Sequence, residues 1–89
     1  MMTILSIILE YTMEIAISKS VAVLGAGFVV LAAATGIGKI GSNAMDAIAR
    51  QPQAASDVRS AMILSAALIE GVALIAVIVC MLSYFVQLG

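Results

Sequence analysis

Glu70 is the residue of this 89-residue chain whose type and surroundings point to chemistry. It is the only charged residue between Ser60 and Gly89, and it stands 11 positions after Arg59. At about 1.5 Å per residue that is roughly 16 Å along a helix, half of a hydrocarbon layer about 30 Å thick. An ionised side chain at the midplane costs at least about 2.5 to 3.5 kcal/mol even on the lenient insertion scale, so an acid kept there points to function. Neither apolar stretch offers a Lys, Arg or His at similar depth to neutralise it. Glu70 therefore reads as a proton carrier, held as the neutral acid in apolar surroundings and discharged elsewhere. The competing reading, a structural Glu hydrogen-bonded between helices, has no evident partner.

The positions around Glu70 on its helix are Ala66, Ala67 and Ala73, with Gly71 adjacent, and none carries a side-chain oxygen. A hard cation exchanges its water for several oxygen ligands, whereas a proton needs one acceptor, so the site favours H+ over Na+. Folding the chain back between Gln51 and Pro52 sets Glu70 at the depth of residue 33. Ala33 and Ile37 then face it and Thr35 lies close in height. Thr35 is a candidate partner, although a membrane threonine more often bonds its own helix backbone.

Other chemistry is excluded by what the chain lacks. With no His and the single Cys80, no intrachain disulfide, zinc-finger spacing, Ser/His/Asp or Cys/His pair can form. No catalytic residue, metal ligand or cofactor is assigned, and the chain reads as non-catalytic. A net charge of -1 gives no basic footprint for nucleic acid. Hydrophobic residues make up 64% and charged residues 10%, against about 25% charged in ordinary soluble domains, which rules out a water-soluble monomer.

The elements that must carry Glu70 follow from the positions of the charges. Ser20 to Gly38 is free of charge, and Ser60 to Gly89 carries Glu70 alone, so both stretches are long and apolar enough to cross a membrane as helices. Pro52, the one proline, lies between them and disfavours helix in the residue before it. The expected fold is all-α: an antiparallel hairpin with one transmembrane helix over 19–49, a polar turn over 50–57, and a second transmembrane helix over 58–88. Lys39, Arg50 and Arg59 lie in or beside the turn, which puts it in the cytoplasm and both termini outside. Residues 1–18 read as a membrane-surface extension of the first helix with Glu10 and Glu14 on one face, the alternative being a cleaved leader. Small residues fill the first span on more than one face, with Ala32/Gly36 and Ala34/Gly38/Ser42 spaced by four. A single hairpin has one internal interface, so this crowding implies a closed homo-oligomeric ring of hairpins with the first helix on its inner wall.

The Gly- and Ala-rich first span, the turn Ala49-Arg50-Gln51-Pro52 and the acid in Ala67-Leu68-Ile69-Glu70-Gly71 together resemble the proteolipid, or c-ring protomer, of rotary F-type ATP synthases. The likeness covers about residues 20 to 88, and an acid 20 residues after the arginine of an Arg-Gln-Pro turn makes it specific. The resemblance implies a proton-translocating rotor subunit in a bacterial-type inner membrane, with Glu70 as the ion-carrying carboxylate. It implies identical c subunits, the a subunit, the central-stalk gamma and epsilon subunits and membrane lipid as partners, with Arg50, Gln51 and Pro52 in the stalk-contact loop. Two departures stand out. Ala32 and Ala34 replace glycines of the family's repeat. Ile37, Gly71 and Val72 stand where sodium-using members carry a Gln and a Ser or Thr, so sodium coupling is not expected. A small pore-forming or structural hairpin of the holin kind accounts for two spans, but gives no reason for a midplane acid above an Arg-Gln-Pro turn.

Overall fold

The protein's structure, a computed structural model, describes residues 2–86. It consists of α1 (Met2–Arg50), a 3-10 turn (Pro52–Ala54) and α2 (Ala55–Val86), folded into an antiparallel hairpin. Both helices are long and apolar enough to cross a membrane.

Helix α1 runs for 49 residues because nothing before Pro52 stops it: its glycines and β-branched residues keep helical backbone in a stretch that holds no proline. Its end is set by Pro52. The amide of Gln51 still donates to the Ala47 carbonyl at 2.9 Å, but Gln51 itself is forced to φ -134 and ψ 80, the extended conformation that a following proline imposes. Ala54 then donates to the Gln51 carbonyl at 3.0 Å and closes the turn. Pro52 opens that turn, where its missing amide hydrogen costs nothing. Arg50 lies in the last turn of α1 and Asp57 in the first turn of α2, each with the sign that complements the helix dipole.

Only residues 51–54 separate the two α-helices, a shorter connection than the 50–57 read from charge and polarity. Arg50 and Asp57 are polar yet helical, because helix ends accept charge of the right sign. The shorter, tighter turn also moves the register. A Cβ on Gly36 would meet Ile69 Cδ1 at 3.4 Å, and one on Gly25 would meet Cys80 Sγ at 3.3 Å. Both pairs are centred between Pro52 and Gln53, one residue further along than expected, so Glu70 is level with Thr35 rather than residue 33.

The two helices meet along one seam. Its half-buried members on α2 recur every three or four residues, through Val58, Met62, Ala66, Ile69, Ala73, Ala76 and Cys80. Ala44, close to the turn, is the one buried residue among those described, at 7% exposure. Everywhere else the hairpin is two side chains thick, with Cα extents of 77 × 18 × 7 Å, and most large apolar side chains point outward. Four hydroxyls turn back onto their own helix: Ser6, Thr12, Ser20 and Thr35 donate to the carbonyls four residues before them at 2.8 to 3.0 Å.

The Gly25–Cys80 contact gives a direct test of this register. Gly25→Val adds branched bulk against a sulfur already 3.3 Å from the first added carbon, and overpacking of this kind costs about 1–3 kcal/mol. The variant is expected to lower the temperature at which the helical hairpin unfolds in detergent, and Cys80→Ala in the same chain to restore most of the loss. No loss in the single variant, or no rescue in the double, contradicts the pairing.

Residues 2–18 continue the axis of α1 without a break. A 49-residue helix is roughly 74 Å long, and the 77 Å extent of the hairpin requires α1 to run nearly straight. The register sets Val86, the last described residue of α2, level with Lys19. The seventeen preceding residues of α1 therefore project about 25 Å past that level. Lys19 marks the boundary, with its Nζ 4.7 Å from the centroid of the Tyr84 ring.

Candidate functional site

Glu70 sits one residue after Ile69, a seam residue packed on Gly36. One step along a helix turns a side chain by about 100°, so Glu70 leaves the seam and faces out from one broad side of the hairpin. It is exposed on the isolated chain. The side-chain hydrogen bonds among the described residues all come from Ser and Thr hydroxyls, and none reaches Glu70.

In an antiparallel pair, positions the same number of steps after facing seam residues share a side. Ile37, one step after Gly36, therefore stands on the same side as Glu70. Ala33, Ala66 and Ala73 lie between it and the seam, and all four of these neighbours are half-buried. Ala67 and Gly71 flank the acid on the edge of α2 turned away from α1, and both are exposed. The side chains that adjoin the carboxyl within its own hairpin are thus methyl groups and an isoleucine, with no oxygen ligand among them.

Thr35 is level with Glu70 but stands on the opposite side, because it precedes Gly36 while Glu70 follows Ile69. Its hydroxyl donates to the Leu31 carbonyl at 2.8 Å. The Thr35–Glu70 contact considered from sequence is therefore not made within the hairpin. Height alone suggested it, and the side of the helix decides against it.

That opposite side carries a feature the sequence did not reveal. An apolar groove of about 570 Å³, at the depth of Glu70, is lined by Ala32, Gly36, Leu68, Val72 and Ala76 among others. It arises because Ala32 and Gly36 leave space beside Leu68 and Val72, a signal present in the small-residue spacing but readable only once the register is known. The carboxyl and the groove are back to back across the hairpin.

At the turn, Arg50 and Gln51 line a polar cleft of about 430 Å³ together with Asn43, Asp46 and Val58. Gln51, Pro52 and Gln53 are exposed. The three loop residues singled out from sequence are thus gathered at one tip of the molecule, roughly 25 Å along the hairpin from Glu70 by the rise of about 1.5 Å per residue.

The whole hairpin, and not the site alone, has relatives among known proteins. The family model for the C subunit of ATP synthase matches residues 20–83. The ATP synthase c subunit of Bacteroides thetaiotaomicron is 55% identical over 83 residues, covering 92% of this chain and 98% of that protein. That of Phocaeicola vulgatus is 54% identical over 82 residues, with 92% and 98% covered. A more distant relative, the ATP synthase c subunit of Lactobacillus helveticus, is 40% identical over 62 residues, or 70% of this chain and 80% of that one. No solved structure matches the chain. Two apolar helices, the tip, the acid and a match that spans the hairpin from Ser20 to Ser83 lead to one conclusion: the chain is a membrane protein and belongs to the family of ATP synthase c subunits.

Proposed function

We propose that this chain is the proton-carrying rotor subunit of an F-type ATP synthase and that Glu70 is the group that takes up and releases the proton. The observation that carries the reading is the position of Glu70: a lone carboxyl at mid-helix, facing out of the hairpin, with alkyl neighbours and no cation beside it among the described residues. Names of relatives supply the complex, and the site supplies the chemistry.

Identical hairpins stand side by side in a ring, α1 inside and α2 outside, so that each Glu70 meets the apolar groove of the next copy. Protonated, the acid is neutral and passes through lipid at tolerable cost. Ionised, it is stable only beside a cation and water, which the family's a subunit provides. Loading a proton from one side neutralises one Glu70 and lets the ring advance one position. The same proton leaves on the other side after the ring has turned. A charge crossing the full potential carries about 2.3 kcal/mol per 100 mV, so several protons combine for each ATP. The chain breaks and forms no covalent bond in this cycle. Bond chemistry belongs to the soluble sector, which the exposed tip of Arg50, Gln51 and Pro52 engages through the gamma and epsilon subunits. Basic residues beside the turn orient it to the cytoplasm, with both termini outside an inner membrane of bacterial type.

Selectivity for H+ rests on the absence of oxygen ligands at Ile37, Gly71 and Val72. A hydrophobic carbodiimide, which requires the protonated acid, tests both points at once. Labelling of Glu70 is expected to slow as pH rises and to be insensitive to added Na+ at fixed pH. A rate independent of pH contradicts the proton carrier, and protection by Na+ contradicts the selectivity. The purified chain should run as a stable ring that co-purifies with soluble ATPase subunits; a hairpin that forms pores without them supports the holin-like alternative.

A further inference from the structure

The overhang of α1 past the end of α2 is not explained by proton transport. Residues 2–13 present large apolar side chains on several faces, with Met2, Ile4, Leu5, Ile7, Leu9 and Met13 all more than half exposed. They lie past the level of Val86, the last described residue of α2, and no Gly or Pro between residues 2 and 24 offers a bend that would lay the segment flat on a membrane. Three charges punctuate this end of the helix: Glu10, Glu14 and Lys19.

Their sides are fixed by the two grooves at the end of the hairpin. Lys19 lines one groove with Val23, Leu24 and Tyr84. Ile17 and Val21 line the other, with Val79 and Ser83, on the opposite side of the seam. Glu14 and Glu10 extend the Val21–Ile17 row by steps of three and four residues, so they stand on the side of the second groove. One broad side of the hairpin therefore ends in a cation and the other in two carboxylates. Within one chain, Glu14 and Lys19 are five residues apart and turned about 140° from each other, which keeps them from pairing.

We propose that the overhangs of adjacent copies pack into a collar that continues the inner wall of the ring, and that Glu14 of each copy pairs with Lys19 of the next. The inference rests on the ring reading, whose repeated contact brings the side bearing Glu70 and Lys19 of one copy against the side bearing the apolar groove and Glu14 of its neighbour. The collar covers apolar side chains that α2 leaves bare, and the charge pair fixes which side meets which. Bulky Ile and Leu replace the small residues of the span, so helix axes in the collar stand nearer the wide end of the usual packing range, about 10 Å rather than about 8 Å, and the ring flares there. Glu10, one turn further out on the acidic side, adds to the field that attracts Lys19.

Charge exchange tests the pair. Glu14→Lys and Lys19→Glu, expressed singly, are each expected to lower the temperature at which the ring dissociates in detergent. The double variant should recover most of the loss. The two single variants expressed together should also form stable rings containing both chains, because each supplies the charge its neighbour lacks. Mixed rings no more stable than either single variant overturn pairing between copies, and single variants as stable as wild type overturn the pair altogether. Intact mass of the chain from the ring is expected to include residues 1–18; their removal in the assembled ring overturns the collar. Failure to run as a ring in any form, wild type included, instead overturns the rotor reading on which the collar rests.

Discussion

Glu70→Gln is expected to give rings that assemble and carry no protons. Glutamine keeps the length, volume and hydrogen-bonding capacity of the protonated acid, so the alkyl surroundings formed by Ala33, Ile37, Ala66 and Ala73 receive it without strain. It cannot release a proton, so no turn of the ring moves charge. Reconstituted with the whole complex, the variant is expected to lose ATP-driven acidification of vesicles to background while retaining the mass of an assembled ring. Glu70→Asp keeps the titrating group but withdraws it by one methylene, and should retain part of the activity. Pumping at the wild-type rate by the glutamine variant contradicts the assignment, and failure of the aspartate variant alone does not, because its carboxyl no longer reaches the same point.

A second large effect follows from rotation. If each Glu70 must pass the same entry and exit in turn, one blocked carboxyl stops every other. Modification by carbodiimide is therefore expected to abolish transport when a small fraction of chains carries the label, near one per ring. A carrier acting through independent chains loses activity in proportion to labelling. The comparison needs the labelled fraction by mass spectrometry and residual proton transport on the same sample. A straight line from full activity to zero at complete labelling contradicts the rotor, whatever the chemistry at Glu70. The adduct is bulky and neutral, so it also reports whether the carboxyl must re-enter a confined passage: inhibition demands one.

The hairpin was legible in the sequence because charge is so scarce that its gaps outline two helices, and because Pro52 can only stand near a helix boundary. The mid-helix position of Glu70 was legible for the same reason: an acid in the middle of a long apolar stretch is costly, and that cost is visible without coordinates. Three features were not. The register depends on how many residues the turn consumes, and Ala55–Asp57 are polar enough to read as loop while forming the first turn of α2. Thr35 matched Glu70 in height but not in direction, a distinction that requires knowing that Gly36 and Ile69 occupy the seam. The groove opposite Glu70 combines Ala32 and Gly36 of one helix with Leu68 and Val72 of the other, so the Ala32/Gly36 spacing becomes a groove only once the register is known. Residues 2–18 show the same limit from another direction: their apolar character was plain, but that they extend α1 in line with the span is a property of uninterrupted helix.

The direct test of the central claim is the protonation of Glu70 in the assembled ring, read by infrared spectroscopy of membranes at neutral pH. A carbonyl stretch from a protonated carboxylic acid is expected in the wild-type ring, absent from Glu70→Gln and bleached when the sample is taken to high pH. A wild-type spectrum with only ionised carboxylate, unchanged across pH, means that the acid is held permanently by a fixed cation, and contradicts the proton-carrier role of Glu70.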